Sequence, residues 1–540
     1  MKLENLLKIM GCRIWVAVVL CILATACSED DIFTDNTIVV PPTESEEQNT
    51  DTLLIPDENL RLYLCSQLGV DVLTHENLAT VTTLSLRSRN YSTLAGISHL
   101  ENLDSLTIDN NLGHAFIDFP EEIADMKHLS YLKASGVFRG KLPASLSGFT
   151  YFSVGDSRLE GDVPPHLIDV TAERVTLHIG RSRFSGLPVD IWRKVCADAE
   201  TYQLAPSLAP QASGYFLTLY DPDSLSNNRY RADGEVEFYQ EHRAGKGINM
   251  FILCDGFDRS CNAVNGVAEK VMKFSVEQLF AIEPMCSLRA YFDIHLIYAE
   301  SPEKGMTYSS DGKTNDHEVK TKFDTHQPNL SNRYYLCDTP GILDYIAENT
   351  GISPQGGVVL LIAHNLIHGG SAGMEYVADR TSFSVSTVEP KFAKTLWHES
   401  VGHSIGWLAD EYVERGNTDM IPADTRNWNE WNYNRYDYCR NVAFTDDPTK
   451  VWWADFIGDE RYADENIGVY EGGIYWAQGV WRPTENSIMR TYDRDQKFSA
   501  PCRAIIYKEV MSRALGEEFV YDYETFVKFD MKERYYPLSE

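Results

Sequence analysis

A chain of 540 residues with 43% hydrophobic content has enough apolar material for two or three domains, each with its own core. Its formal net charge of −31 argues against nucleic acid, which demands basic surface, and against adhesion to anionic membrane by charge alone. The acidity is that of a solvated surface.

Residues 1–26 read as a secretory signal. Lys2, Lys8 and Arg13 precede the apolar run Ile14 to Leu23, which is too short for a comfortable membrane span. Small residues follow, and Ala24-Thr25-Ala26-Cys27 resembles a bacterial lipobox, with Ala24 where leucine is commoner. The resemblance makes Cys27 the acylated first residue of a mature lipoprotein. Ser28-Glu29-Asp30-Asp31 resembles the acidic surface-export tag of some Gram-negative lipoproteins. The implied location is the cell surface, on the outer membrane. Residues 27–56 are rich in Asp, Glu, Thr and Pro without apolar periodicity, and are expected to form a disordered linker.

Residues 57–200 repeat. Leu84-Ser85-Leu86, Leu106-Thr107-Ile108, Leu132-Lys133-Ala134 and Leu177-His178-Ile179 alternate like short strands. Between them recur Gly140-Lys141-Leu142-Pro143, Gly161-Asp162-Val163-Pro164 and Gly186-Leu187-Pro188. A period of 20 to 26 residues lies in the leucine-rich-repeat range, which predicts a solenoid. A small β-sandwich is the alternative. Asn110 and Asn111 are candidates to cap a turn. With no clustered acid, base or metal ligand, this region is expected to bind or to space. Residues 201–245 form a transition with strands at Tyr215–Tyr220 and Glu235–Tyr239.

Residues 246–540 carry the chemistry. Strands are predicted at Ile248–Leu253, Tyr291–Tyr298 and Gly357–Ile362, with helices at Ala263–Phe280 and Arg503–Ala514, the last closing an α/β domain. Asp255 is expected to cap the first helix. His295, His364 and His368 are read as structural, Gly369 to Gly373 as a flexible loop beside the cleft, and Trp428, Trp431, Trp452 and Trp453 as core.

Everything converges on Leu396 to Tyr412, LWHESVGHSIGWLADEY. Histidine nitrogen is a good zinc ligand, and Glu399 beside His398 is placed to take a proton from water. In the usual zincin signature the histidines are i and i+4, about 40° apart on a helix. His398 and His403 are i and i+5, about 140° apart on a regular α-helix, so sharing one ion requires a π-bulge. Gly402 makes that distortion cheaper. The third ligand is expected to be Asp410, reached by a continuing helix or by a turn after Gly406. Glu411 is the second candidate, or a group that orients a histidine.

The run His398-Glu399…Gly402-His403, with Leu408-Ala409-Asp410-Glu411-Tyr412, resembles the IgA-peptidase family of metallopeptidases (M64). Ile248 to Phe257 and Gly479 to Arg490 support the resemblance, which covers roughly Gly245 to Leu515. It implies a zincin, metzincin-like fold and a Zn2+ endopeptidase acting on extracellular protein, immunoglobulin- or mucin-like. Asn486-Ser487-Ile488-Met489-Arg490 resembles a Met-turn, with Met489 as the floor beneath the zinc and Tyr492 placed to stabilise the oxyanion. Relatives are expected to carry cysteine where this chain has Ser487.

Eight cysteines lie beyond residue 27, an even number that permits disulfides without fixing their pairing. The catalytic half alone, starting near Ala209, is expected to bind zinc and cut small peptides. The competing reading is a degenerate zincin lipoprotein that binds protein or glycan through its repeats.

Overall fold

The computed structural model describes residues 54–535, except 88–90, 110–115, 198–217, 225–227, 310–311, 314, 316–317, 330–333, 374–379, 390 and 492–496. The expected signal, Cys27, most of the linker, Asn110, Asn111, Tyr215 and Tyr492 lie outside the described residues.

The repeat region opens with helix α1 (Glu58–Leu68), whose N-cap Asp57 accepts from the Leu60 amide and whose buried face is Leu60 and Leu64. Strands β1 (Thr83–Arg87), β2 (Ser105–Asp109), β3 (Ile117–Asp118), β4 (Tyr131–Lys133), β5 (Phe138–Lys141), β6 (Tyr151–Ser153), β7 (Arg158–Asp162), β8 (Thr176–His178), β9 (Arg183–Pro188) and β10 (Thr218–Tyr220) follow. They form two parallel five-stranded sheets, β1-β2-β4-β6-β8 and β3-β5-β7-β9-β10. All these pairs are parallel, which a hairpin-built sandwich does not allow. In the first sheet Leu84, Leu106, Leu132, Phe152 and Leu177 stand in register and are buried as one ladder. The strand around Phe152 escapes the sequence pattern because an aromatic residue replaces leucine. Gly140, Gly161 and Gly186, which recur between the first sheet's strands, lie in strands of the second sheet.

The C-terminal half is built on a six-stranded sheet. Its strands are β11 (Glu235–Gln240), β12 (Ile248–Asp255), β13 (Phe292–Tyr298), β16 (Val358–Ala363), β17 (Gly370–Gly373) and β18 (Ser382–Thr387), in the order β11-β13-β12-β16-β18-β17. β14 (Thr307–Tyr308) and β15 (His326–Gln327) form a separate pair. The four central strands are parallel and the two edge strands antiparallel. Parallel strands need both faces covered. Met250, Ile252, Leu360 and Ile362 meet a core shared with the helices Val267–Leu279 and Ala500–Leu515, while Phe251, Leu253, Val359, Leu361 and Phe383 meet a second core under Thr339–Thr350.

Several expectations are corrected here. Gly370 to Gly373 is an edge strand, not a loop, because β18 supplies a backbone partner. Asp255 caps no helix. Its buried carboxylate accepts from Ser301 Oγ at 2.8 Å, the Lys322 amide at 2.9 Å and Thr325 Oγ1 at 2.6 Å, which fixes the 321–325 segment. Trp453 is core, but Trp428 and Trp431 are 64% and 56% exposed. They sit on Ala423–Tyr436, whose buried face is Asn429, Asn432 and Tyr433. A helix at Tyr523–Tyr535 follows the one expected to close the domain. Cys196, Cys254, Cys261, Cys439 and Cys502 are buried thiols outside any disulfide.

The repeats end in α2 (Val189–Ala197), which docks on the C-terminal half. Trp192 is fully buried, donates its indole N–H to Val388 O at 3.0 Å and packs edge-on against Phe274 and at a tilt on Phe392. The Leu219 amide donates to His364 Nε2 at 2.8 Å, and burial pushes that imidazole down to about 3, so it stays a neutral acceptor. Lys270 reaches both Asp190 and Asp221 at 3.1 Å. One apolar core therefore crosses the expected boundary at residue 200, and a protein beginning near Ala209 would leave Phe274 and Phe392 uncovered. Trp192→Ala should lower stability by about 3–5 kcal/mol in denaturant unfolding. The truncated protein should fail to give a cooperative unfolding transition.

Candidate active site

Phe392–Thr395 is a short α-helical turn that leads into a π-helix over Leu396–Ile405. Its last turn closes with the Gly406 amide donating to Val401 O at 2.9 Å, five residues back. The extra residue per turn swings His403 over His398. Their ring centroids are 4.7 Å apart and their Nε2 atoms 3.1 Å apart. The expected local bulge is thus a ten-residue π-helix.

Neighbours hold this widened helix on several sides. Strand β18 alternates, sending Phe383 and Val385 to one core and its buried serines to the helix. Ser384 Oγ donates to Ser400 Oγ at 2.9 Å and Ser382 Oγ to Ser404 O at 2.6 Å. Trp397 Nε1 donates to Gln278 O at 2.7 Å. A Cβ on Gly402 would stand 2.3 Å from Met489 Sδ, and one on Gly406 2.6 Å from Ile506. A side chain at position 402 would therefore have to displace Met489.

After Gly406 the chain turns through Trp407, whose φ is 56°. Asn441 bonds both the amide and the carbonyl of Ala409, at 2.8 and 2.9 Å. Of the two routes open to Asp410, the turn is the one taken. Asp410 Oδ1 lies 3.1 Å from His398 Nε2 and 3.2 Å from His403 Nε2. The outer nitrogens are engaged elsewhere, His398 Nδ1 at 3.0 Å from Ile488 O and His403 Nδ1 at 2.7 Å from Leu408 O. That arrangement orients both Nε2 atoms inward. The three donor atoms form a group that could hold a metal ion.

Electrostatics agree with the geometry. Burial alone would lower the His403 pKa, but the Asp410 charge outweighs it and raises the imidazole to about 9. Burial acts to raise Asp410, and the two histidines overcome it and hold the carboxyl well below its usual range. A proton shared in the metal-free cluster would be released on metal uptake.

Glu411 is fully buried and touches neither histidine. Its carboxylate accepts from Ser487 Oγ at 2.5 Å, Asn441 Nδ2 at 2.9 Å and Cys502 Sγ at 3.3 Å, and its amide donates to Met489 O at 2.9 Å. It ties the Asp410 loop to the 486–489 turn, whose Ile488 O lies 3.0 Å from His398 Nδ1. Burial pushes its carboxyl upward. Met489 is buried under Gly402. Glu399 is half-buried, and a Cβ on Gly370 of β17 would stand 2.7 Å from its Cγ.

Two contributions had no signal in the sequence. Tyr475 Oη donates to Asp410 Oδ2 at 2.6 Å from 65 residues away, and Glu389 braces the start of the Leu396–Ile405 helix through Thr395 Oγ1 at 2.7 Å and His368 Nδ1 at 3.0 Å. His295 and His364 bond to Asn249 and to the backbone, as structural histidines do.

The two glycines separate two functions. Gly370→Ala should displace Glu399 and cut peptide cleavage at least tenfold while bound metal is unchanged. Gly402→Ala should displace Met489 and weaken metal retention itself. Metal content by mass spectrometry, read beside peptide turnover, checks both.

Comparison with solved structures gives low-scoring likenesses. An internalin from Listeria monocytogenes is 16% identical, covers 32% of this chain and 53% of its own, and has a TM-score of 0.22. Internalin C2 from the same organism is 16% identical over 31% of this chain and 95% of its own, with a TM-score of 0.18. A plant ice-binding protein is 25% identical over 20% and 37%, with a TM-score of 0.17. This chain spans about half the length of the first internalin, and scores this low decide nothing about fold or function. Comparison with curated proteins found no match. The family described as IgA Peptidase M64 matches residues 240–463 and 456–510, half of the chain and the whole of the site. The chain belongs to the IgA Peptidase M64 family.

Proposed function

We propose that the protein is a zinc metalloendopeptidase of zincin, metzincin-like fold. The observation that carries this reading is the convergence of His398, His403 and Asp410 on one point beside Glu399. Two imidazole nitrogens and a carboxylate oxygen are a zinc donor set. Their separations of 3.1 to 3.2 Å are close to the roughly 3.3–3.6 Å between tetrahedral ligands at zinc bond lengths. A slight outward movement would admit the ion.

Bound zinc would supply Lewis acidity, polarising a peptide carbonyl and acidifying water. Glu399 takes the proton of the attacking water and returns it to the leaving amine as the C–N bond breaks. Edge strand β17, outermost in the sheet, receives the substrate backbone as an added strand and holds it across Glu399. Met489 gives the ligand histidines a floor. Tyr492 is proposed as the oxyanion donor.

The two-sheet region is read as a leucine-rich-repeat-like solenoid that raises the concentration of large substrates at the cleft. The proposed substrates are extracellular proteins, immunoglobulin- or mucin-like. The N-terminal sequence supports a surface lipoprotein of a Gram-negative outer membrane, anchored through Cys27.

Two experiments test the reading. Glu399→Gln should keep one zinc per chain and lose about 10²–10⁴-fold in peptide turnover. Wild-type protein that takes up no zinc when zinc is ample would overturn the assignment. Separately, Cys27→Ala should move the protein from the membrane fraction to the soluble one, and unchanged sedimentation would sink the anchor.

A further inference from the structure

Strands β19 (Tyr470–Gly473) and β20 (Trp476–Arg482) form a hairpin that turns at Ile474 and Tyr475. Both residues sit in left-handed backbone, with φ of 46° and 70°. That conformation is disfavoured for any side chain, and most for a β-branched or bulky one. It persists where surrounding contacts over-determine it, and those contacts are present. The Ile474 amide donates to Asp410 O at 2.9 Å and the Tyr475 amide to Tyr412 O at 3.0 Å. Tyr475 O accepts from the Glu414 amide at 3.1 Å and from Asn417 Nδ2 at 2.9 Å. The Tyr412 ring packs edge-on against the Tyr475 ring at 5.2 Å. The strained turn is stitched to the loop that carries Asp410 by four hydrogen bonds, three of them backbone to backbone.

The outcome of this stitching is one contact. Tyr475 Oη donates to Asp410 Oδ2 at 2.6 Å, while Oδ1 faces both histidines. Tyr475 as a residue is 42% exposed, so the hairpin tip is at the surface while its hydroxyl is engaged by Asp410. Among the described residues no other group donates to Oδ2.

We infer that Tyr475 is a positioning residue that holds Asp410 as a one-oxygen ligand. This rests on the metal site proposed above. By occupying Oδ2, the hydroxyl fixes the carboxylate plane and keeps the second oxygen out of the coordination sphere. The space it protects is left for water and substrate. Without the hydroxyl, Asp410 rotates to offer both oxygens, and the site becomes more crowded and less well ordered.

The test uses full-length protein loaded with cobalt(II), whose visible absorption strengthens at low coordination number. Tyr475→Phe is compared with wild type and with Tyr470→Phe, which removes a phenol of the same hairpin that donates, among the described residues, to Asn466 O. The expected result for Tyr475→Phe is weaker absorption per cobalt and metal affinity lower by about 10–100-fold in chelator competition. Tyr470→Phe should match wild type. Ile474→Gly relaxes the turn while keeping the phenol, and should shift both readouts in the same direction by less. An unchanged spectrum in Tyr475→Phe overturns the inference, even if affinity falls, because a packing role would loosen the site without altering how Asp410 binds. Wild-type protein that takes up no cobalt or zinc overturns the metal site itself, and this inference with it.

Discussion

Two imidazoles five residues apart can address one ion only if the helix between them carries an extra residue per turn. A π-helix is wider than an α-helix and is rarely stable beyond one turn. Here it runs from Leu396 to Ile405, and the surrounding fold is arranged to keep it so. Strand β18 offers serines to one side, and Trp397 fastens another to the Val267–Leu279 helix. Met489 and Ile506 fill the hollows left by Gly402 and Gly406. Each contact favours the wide form, and together they decide where His403 points.

The rest of the site follows from where this helix stops. Trp407 turns the chain back, Asn441 clamps Ala409, and Asp410 falls between the histidines. Glu411 then ties this loop to Ser487, Cys502 and the Met489 backbone beneath. A buried carboxylate is costly unless its oxygens are bonded. Glu411 is fully bonded, so it can lock two segments without leaving an orphaned charge. The repeats enter the same chain of support. Trp192 rests on Val388, and Glu389 beside it bonds Thr395, the residue before the π-helix.

Much of the site was legible because its residues are close in sequence. His398, Glu399, His403 and Asp410 lie in one run, and the i, i+5 spacing already demanded a distorted helix. The repeat ladder was legible from leucine alternation, apart from the turn in which Phe152 replaces leucine. What stayed hidden depends on distant backbone. Tyr475 reaches Asp410 only because two residues adopt left-handed φ, which no local pattern announces. The edge strand at Gly370 to Gly373 looked like a loop because glycine and serine carry little strand propensity, and β18 overrides it. Asp255 looked like a cap because the 321–325 amides it receives are more than sixty residues away. The two-sided core of Trp192 is equally non-local.

The most direct measurement is X-ray absorption at the zinc edge of the purified full-length protein. The expected result is one zinc with two imidazole nitrogens and carboxylate or water oxygens at about 2.0–2.2 Å, and no sulfur. In His403→Ala the second imidazole signal should disappear. Sulfur scattering near about 2.3 Å, or two imidazoles surviving in His403→Ala, would contradict the claim that the π-helix brings His398 and His403 to one ion.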